Sequence, residues 1–538
     1  MYNMKRNYIF FNLFLCAALI PCFIGGGCTK RFEDINTDPY GLSESDLKGD
    51  FALYGAPFSQ MQLGVHLFAP EWQYQLMQNL NADIFSGYMM TPTPFANNVN
   101  NSSYAMMDGW NNNTWVLAYD NVMSPAQAVI DRAKKEKYAN FEAWAMILKV
   151  LSLHRVSDVF GPVVYTNFGK INADGSVTYD SQQEAYTAFF KDLDDAQAKL
   201  KPYALSADSA KIFKNFDLSY AGDYKKWMKL LNSLRLRLAV RIAKADAAKG
   251  KTEAEKAMSN EFGLIENNED DFIINSKTLN NPISVISNSW GDIKMGAPIE
   301  SYLTGYNDPR LAKYFSPATD PAVAGQYKGI RNGIDLPNDQ LYRKLSNVAN
   351  LNTRMPMLTA AEVWFLKAEA KLRGWAVPEL ASVQEAYEKG IQRSLAQWGV
   401  EGQFDAYKNS TAKPAPYVDP FNAANSVLAG SPILSTVSPK WNDAGSADQK
   451  LEQIITQKWL ALFPESQEAW TEQRRTGYPK LFPVVINNSG GVIPAGQFIR
   501  RINFAISEKE TNQAGYQGAV QKLGGADNIA TRLWWDKP

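Results

Sequence analysis

The sequence predicts a mainly α-helical protein, a solenoid of packed helix pairs that carries large irregular insertions and few short strands. Apolar residues recur at helical spacing in consecutive pairs of segments. Between these pairs lie long stretches rich in Pro, Gly and Asn, at 263–357, 399–447 and 476–538. Hydrophobic residues make up 45% of the 538-residue chain, enough for a large core. A helical scaffold with insertions gathered on one side is typical of binding proteins.

The first 27 residues predict a secretory signal peptide. Lys5 and Arg6 precede an almost wholly apolar run at 9–24, and three glycines then lead to Cys28. A cysteine directly after a small-residue cleavage site is where a bacterial lipoprotein is cut and acylated, so we predict lipidation of Cys28 and stable anchoring by several acyl chains. An ordinary signal peptide or a short membrane anchor is the alternative, but a spanning helix needs about 20 apolar residues.

We divide the chain into a signal peptide (1–27), a polar, lipid-anchored tether (28–42) and a single helical domain (43–538) with ligand-binding insertions. The 55 Lys and Arg balance the 55 Asp and Glu, so nothing favours nucleic acid as a partner. All three cysteines lie in or at the signal peptide, and the chain has two histidines. We therefore expect no disulfide, no thiol nucleophile, no metal centre and no cofactor.

The helices are predicted in order from their apolar spacing and end signals. A first helix covers 43–64, and a second begins at 70–72 and continues through Leu76, Leu80 and Ile84. The segment 181–200 resembles the second helix of a tetratricopeptide unit in its small and large apolar positions. An unrelated bundle would give the same local signals, but paired spacing favours a solenoid. The predicted pairs are 141–158 with 181–200, 224–245 with 252–262, and 359–374 with 382–398. A last helix is predicted at 448–463, and 468–475 follows it.

Residues 234–238 alternate Leu and Arg and could be mistaken for a strand. Their leucines also lie on one helical face and the flanking residues are helical in pattern, so we predict a helix. We expect Arg235, Arg237 and Arg241 to form structural salt bridges, with a ligand role as the alternative.

Residues 87–114 interrupt the helical periodicity with a long stretch of Asn, Pro, Thr and aromatic residues. Long irregular segments are usually functional or disordered, and disordered segments are poor in aromatic residues. Sugars bind to aromatic faces through their C–H surfaces and to planar polar groups through their hydroxyls. We therefore predict two ligand-binding clusters that face one groove. They are Tyr88, Phe95, Asn97, Asn98, Trp110, Asn111 and Asn112, and, in the large insertion, Trp290 and Asp292.

Core packing is the alternative for each of these tryptophans. It is the preferred interpretation for Trp227, Trp364, Trp459 and Trp470, which lie on predicted helices and are assigned to the core or to a partner contact.

Nine short motifs in this order resemble those of SusD/RagB outer-membrane lipoproteins of Bacteroidetes, and together they cover the mature chain. They read NTDP at 36–39, KWMKLLNSLRLRLA at 226–239, NDPRL at 307–311, AEVWF at 361–365 with AEA at 368–370, QKWLA at 457–461, EAW at 468–470, RRTGYP at 474–479, RRI at 500–502 with Glu508 and Asn512, and WWD at 534–536.

The resemblance implies a protein without enzymatic activity, lipid-anchored in the outer membrane and facing the exterior. It would act as lid and capture subunit of a SusC-like TonB-dependent transporter, with helix pairs against the transporter and inserted loops binding a nutrient, most often a glycan. A peptide-binding lid of the RagB type is one alternative. A helical glycoside hydrolase is another, with Asp108, Asp292 and Asp308 as candidate carboxylates. A tetratricopeptide-like scaffold that binds protein termini is the third.

Overall fold

The structure, a computed structural model, describes residues 51–206 and 212–538. The predicted signal peptide, Cys28, the tether and the start of the first predicted helix lie outside the described residues. Tyr54–Pro538 folds as one compact unit. Within the described ranges, no helix combines the length and the apolar character needed to cross a membrane.

Helices account for most of the regular structure, as the sequence predicts. In chain order they are α1 (Ala52–His66), α2 (Glu71–Tyr74), α3 (Ala82–Phe85), α4 (Asp108–Ala118), α5 (Ser124–Glu136), α6 (Ala139–Phe160), α7 (Gln182–Leu205), α8 (Tyr224–Arg241), α9 (Ala247–Met258), α10 (Pro282–Val285), α11 (Ala297–Gly305), α12 (Leu311–Tyr314), α13 (Ala360–Leu372), α14 (Val383–Gln397), α15 (Phe404–Lys408), α16 (Ala447–Leu462), α17 (Ser466–Thr476), α18 (Ile506–Thr511) and α19 (Gln513–Leu523). Wider π-helical turns occupy Gln75–Asn79, Tyr119–Met123 and Ile286–Trp290.

The helices predicted as pairs pack against each other: α6 with α7, α8 with α9, and α13 with α14. The last predicted helix, α16, packs against α17. Their ends follow local capping chemistry. Ser181 and Glu184 form a reciprocal capping box at the start of α7, and the Asp223 carboxylate accepts two backbone N–H bonds at the start of α8. The alternating Leu and Arg residues at 234–238 lie within α8, which confirms the helical interpretation.

The helix predicted from 70 onward is not continuous. The structure divides it into α2, the π-helical turn Gln75–Asn79 and α3. The buried Asn81 side chain donates to the carbonyl oxygens of Leu76 (2.9 Å) and Met77 (3.3 Å). A side-chain amide that bonds to these carbonyls competes with the backbone bonds of a regular helix, which explains the break after Asn79.

Few strands form, and they join distant parts of the chain. β1 (Met89–Met90) pairs antiparallel with β3 (Lys294–Met295), and β2 (Phe272–Asn275) pairs antiparallel with β4 (Arg354–Leu358). The pairing of β1 with β3 joins the segment after residue 87 to the large insertion at 263–357.

A buried network of charged side chains connects the helix pairs. The Arg237 guanidinium donates to both carboxylate oxygens of Glu362, at 2.8 and 2.6 Å. Arg241, one turn further along α8, bonds to Asp158 of α6 and to Glu468 of α17, the latter at 2.5 Å. These contacts confirm the structural salt bridges predicted for the arginines of α8.

Burial alone would raise the pKa of the Glu468 carboxyl, but Arg241, Arg237 and Lys458 hold this pKa well below its ordinary value. Arg475 extends the network through paired bonds of 2.7 Å to the two oxygens of Glu369. The Glu468 carboxylate is therefore held in its charged form by the neighbouring cations.

Removing one cation from this network should destabilise the protein strongly. Arg237→Met leaves Glu362 without its main partner in the interior, and breaking a buried pair in this way costs about 3–5 kcal/mol. Lys191→Met is the matched control, because Lys191 pairs with Asp195 at 2.6 Å on the surface. Such surface pairs contribute about 0.2–1 kcal/mol. Urea unfolding of both variants measures the difference, and equal losses of unfolding free energy would contradict the assigned role of the network.

Candidate functional site

The two predicted ligand clusters lie on neighbouring segments. Met89 and Met90 of β1 pair with Met295 and Lys294 of β3, which places the residues just after Met90 beside those just before Lys294. The Thr93 hydroxyl then donates to Asp292 Oδ1 at 2.8 Å. We propose that the exposed parts of the two segments form one surface, which we call the aromatic groove and define by Thr93, Phe95, Trp110, Trp290 and Asp292.

Asp292 lies at the centre of this groove and is partly exposed. Its second oxygen accepts from the Gln75 side-chain amide at 3.4 Å, and an Arg343 nitrogen lies 3.6 Å from Oδ1. Uncharged donors therefore bond to both carboxylate oxygens, and a cation near Oδ1 balances the charge. A group held in this way can accept hydrogen bonds from ligand hydroxyls without contributing an isolated charge.

Trp290 ends the π-helical turn Ile286–Trp290 and is half-buried. Gly291 follows with φ of 75°, a left-handed conformation that glycine adopts without strain. Among the described residues, no aromatic ring or cation packs on the Trp290 indole. Its exposed area is therefore available to a ligand.

Phe95 and Trp110 meet edge to face. Their ring centroids are 6.0 Å apart and the rings cross at 84°, a favourable geometry for aromatic pairs. Both side chains are half-buried, so each is supported by the protein and retains exposed surface.

Backbone strain marks the loop beside Phe95. Ala96, Asn97 and Asn98 have φ values of 49°, 54° and 65°, all in the left-handed region. The Asn98 amide donates to Asp335 at 2.8 Å and to the Leu336 carbonyl at 3.0 Å, so the contacts around it hold the strained conformation. Such strain is concentrated at binding and active sites, and Asn97 is exposed at the middle of this turn.

Tyr88 belongs to the core and is removed from the predicted binding surface. Its side chain is completely buried, its hydroxyl donates to the Trp459 carbonyl, and its ring centroid lies 5.1 Å from that of Trp459 and 5.4 Å from that of Phe463. This burial could not be predicted from an alternating polar pattern, because Tyr88 precedes a two-residue strand whose partner strand lies about two hundred residues away.

Residues 108–114 are helical, whereas the sequence predicts an irregular segment to 114. Consecutive asparagines have low helix propensity, but the buried apolar face further along α4 stabilises the helix from Asp108. Asn111 is buried and accepts from Asn101 at 2.9 Å, and Asn112 accepts from the Ser507 backbone at 3.1 Å. Both side chains therefore connect α4 to its neighbours; Asn111 is buried away from a ligand, whereas Asn112 is partly exposed and stays a candidate.

Trp72 is a candidate that the sequence pattern did not identify. It is 53% exposed and is the most exposed of the fourteen tryptophans, all of which lie within the described residues. It stands one turn before Gln75, and α2 packs against α10, which leads into the Trp290 turn. A tryptophan at a helix start looks like a core residue in sequence, so only the structure separates it from the buried ones.

The candidate carboxylates differ in their surroundings. Asp308 is buried, bonds to Arg310 through both oxygens at 2.9 and 2.6 Å, and accepts from Tyr407 at 2.6 Å. It cannot reach a substrate in this arrangement. Asp108 lies in the first turn of α4, and Asp292 is engaged as described above. The described ranges hold no group of three or more His, Cys, Asp or Glu side chains that could bind a metal ion.

Comparison with known proteins gives a family match over almost the entire chain. The SusD-like family, described as Susd and RagB outer membrane lipoprotein, matches residues 34–536. A search of curated proteins finds no match.

Solved structures from Bacteroidetes are similar throughout. A chitin-binding SusD homologue from Flavobacterium johnsoniae shares 44% identity, with 90% of this chain and 99% of that chain covered and a TM-score of 0.86. A SusD homologue from Bacteroides vulgatus shares 38% identity, with 91% and 98% covered and a TM-score of 0.84. Another from Bacteroides uniformis shares 34%, with 90% and 99% covered and a TM-score of 0.80.

Proposed function

We propose, from the premise that the chain belongs to the SusD-like family of outer-membrane lipoproteins, that it captures glycans at the cell surface for a SusC-like TonB-dependent transporter. The observation that carries the proposal is the aromatic groove. Thr93 of one segment donates to Asp292, which follows the half-exposed Trp290 by two residues, and the half-exposed rings of Phe95 and Trp110 pack together near Thr93 in sequence. Ring faces and planar polar groups are what a sugar requires of a protein surface.

The charges of the groove favour an uncharged glycan. Asp292 is balanced by Arg343, and Asp335 is occupied by the Asn98 amide. Neither an excess of cations that would attract an acidic polysaccharide nor an isolated buried charge is present among these residues. The similarity to a chitin-binding homologue supports the same choice and makes chitin oligosaccharides the first ligands to test.

We further propose that the protein binds its ligand without chemical turnover. Glycoside hydrolysis needs two carboxylates on opposite sides of the scissile bond, roughly 5–10 Å apart. Asp308 is unavailable because it is buried in its pair with Arg310. Asp292 is engaged with Thr93, Gln75 and Arg343, which suits hydrogen bonding to hydroxyls better than proton transfer to a leaving group.

Truncating either indole should weaken glycan binding without loss of folding. We expect Trp110→Ala and Trp290→Ala each to cost about 2 kcal/mol in binding free energy, roughly thirtyfold in affinity. Calorimetric titration with chitin oligosaccharides measures the affinity, and chromatography of the ligand afterwards should reveal no shorter products. The melting temperatures of both tryptophan variants should stay close to that of the wild type because both side chains are half-exposed.

Tyr88→Ala is the matched control, since it removes a core aromatic ring from the same region. It should lower the free energy of unfolding by about 3–5 kcal/mol. Wild-type affinity of both tryptophan variants would show that the groove is misplaced, and product formation would support the glycoside hydrolase alternative.

Membrane attachment and the transporter partnership are the remaining parts of the proposal. The family description supports an outer-membrane location. We assign the lipid anchor to Cys28, because small residues and an apolar run precede it. The helix pairs offer a rigid face for the transporter, and permanent interfaces of this kind bury about 2,000 Å² or more.

Cys28→Ala should release the protein from the membrane into the periplasm, and purification of the wild type in mild detergent should recover the transporter with it. Fractionation followed by immunoblotting measures the first outcome, and co-purification measures the second. Membrane retention of Cys28→Ala would contradict the lipid assignment. Repeated recovery of the protein alone, with the transporter expressed, would contradict the partnership.

A further inference from the structure

A second cleft, of about 430 Å³, opens beside α4 and α18. The rings of Tyr119 and Phe168 line it and lie nearly parallel, with centroids 6.1 Å apart and an angle of 26° between the rings. Both side chains are half-buried, and valines 116, 164 and 177 complete the apolar wall. The cleft therefore offers aromatic and aliphatic surface to the body of a small ligand.

This cleft is separate from the aromatic groove. Tyr119 follows Trp110 by nine residues on the continuous helical segment that begins with α4, which corresponds to roughly 14 Å along the axis. The hydrogen bond from the Ser507 backbone to Asn112 lies between the two positions. A ligand held at Trp290 and Trp110 is thus not required for occupation of the cleft.

The charges that line the cleft are all negative. Asp120 and Glu508 are its charged side chains, and no Lys, Arg or His is among the described residues that line it. Glu508 Oε2 accepts from the Tyr179 hydroxyl at 2.7 Å and from the Asn512 amide at 3.1 Å. These two bonds orient the carboxylate, and among residues 51–206 and 212–538 no donor bonds to its Oε1. Asp120 is exposed at the edge of the cleft.

Two carboxylates beside aromatic rings attract a cation. The negative potential is concentrated by the cleft, and the aromatic faces add an attraction of their own for ammonium groups. A neutral sugar could donate hydroxyl hydrogen bonds to these carboxylates but would leave their charge unbalanced, and an anionic ligand would be repelled. The residues therefore distinguish this cleft from the charge-balanced groove around Asp292.

We propose that the cleft binds an organic ammonium group, with the carbon body of the ligand against Phe168 and the valines. Glu508 and Asp120 would accept hydrogen bonds from the ammonium N–H groups. Two sources carry this chemistry: an amino sugar with a free amine, and the lysine side chain of a peptide. The site is additional to the proposed glycan groove and does not depend on it.

Calorimetric titration of the full chain with three probes tests the assignment. The probes are a glucosamine oligosaccharide, the N-acetylglucosamine oligosaccharide of equal length, and a lysine-containing peptide with blocked termini. We expect the double variant Asp120→Asn, Glu508→Gln to weaken binding of an ammonium-bearing probe about tenfold, and added salt to weaken it further. Binding of the N-acetylated oligosaccharide should not change, because it lacks the charge.

Glu510→Gln is the matched control: it removes an equal charge from an exposed position of α18 that does not line the cleft. It should bind every probe like the wild type. Asp120→Asn alone changes an exposed side chain, so this variant should fold normally. Like the double variant, it should weaken ammonium binding. If the double variant loses affinity for the glucosamine probe, the ligand is an amino sugar. If it loses affinity for the peptide, the ligand is a lysine side chain.

Wild-type affinity of the double variant for both ammonium-bearing probes would overturn the proposal, as would an equal loss with Glu510→Gln. Trp290→Ala, measured alongside, should bind the ammonium-bearing probes normally at this cleft. A failure of the glycan groove and a failure of the ammonium cleft are therefore separate results.

Discussion

The pairing of buried charges in α8 is the constraint on which the helical scaffold depends. Arg237 and Arg241 can lie in the interior only if carboxylates from other helices meet them, because an unpaired buried charge costs several kcal/mol. Their partners Asp158, Glu362 and Glu468 come from α6, α13 and α17. Helices that are far apart in sequence must therefore pack in one register. Apolar surface alone would tolerate a sliding or rotated arrangement that these ion pairs exclude.

The same scaffold also fixes the position of Asp292 in the aromatic groove. Arg155 of α6 donates to Glu465 at 2.6 Å and to the Gln78 side chain at 3.0 Å, which ties the π-helical turn Gln75–Asn79 to the interior. Gln75 of this turn in turn contacts Asp292. Burial raises the pKa of Asp83 beside it to about 6, although four hydrogen-bond donors oppose the rise. Asp292 is thus tied through Gln75 to a fixed part of the interior, as a binding group that must keep a set position requires.

The helix pairs could be predicted from the sequence because their apolar period continues over many residues and their ends carry local capping signals such as Ser181 with Glu184. The groove could be predicted only in outline. Tyr88 looks like any loop aromatic until its pairing across β1 and β3 is known, and Trp72 looks like a core residue until its exposure is seen. The asparagines from 111 read as a loop, because the packing that stabilises α4 overrides their low propensity. Each of these errors concerns contacts between residues distant in sequence.

The central claim is that two distant segments form one glycan-binding surface around Asp292. A crystal structure of the protein with a bound chitin oligosaccharide tests it most directly. We expect a sugar ring to lie against the Trp290 indole, a hydroxyl or amide of the sugar to bond to Asp292, and the same oligosaccharide to contact Trp110 or Phe95. An oligosaccharide bound elsewhere, or the indoles of Trp110 and Trp290 separated by more than its length, would contradict the claim.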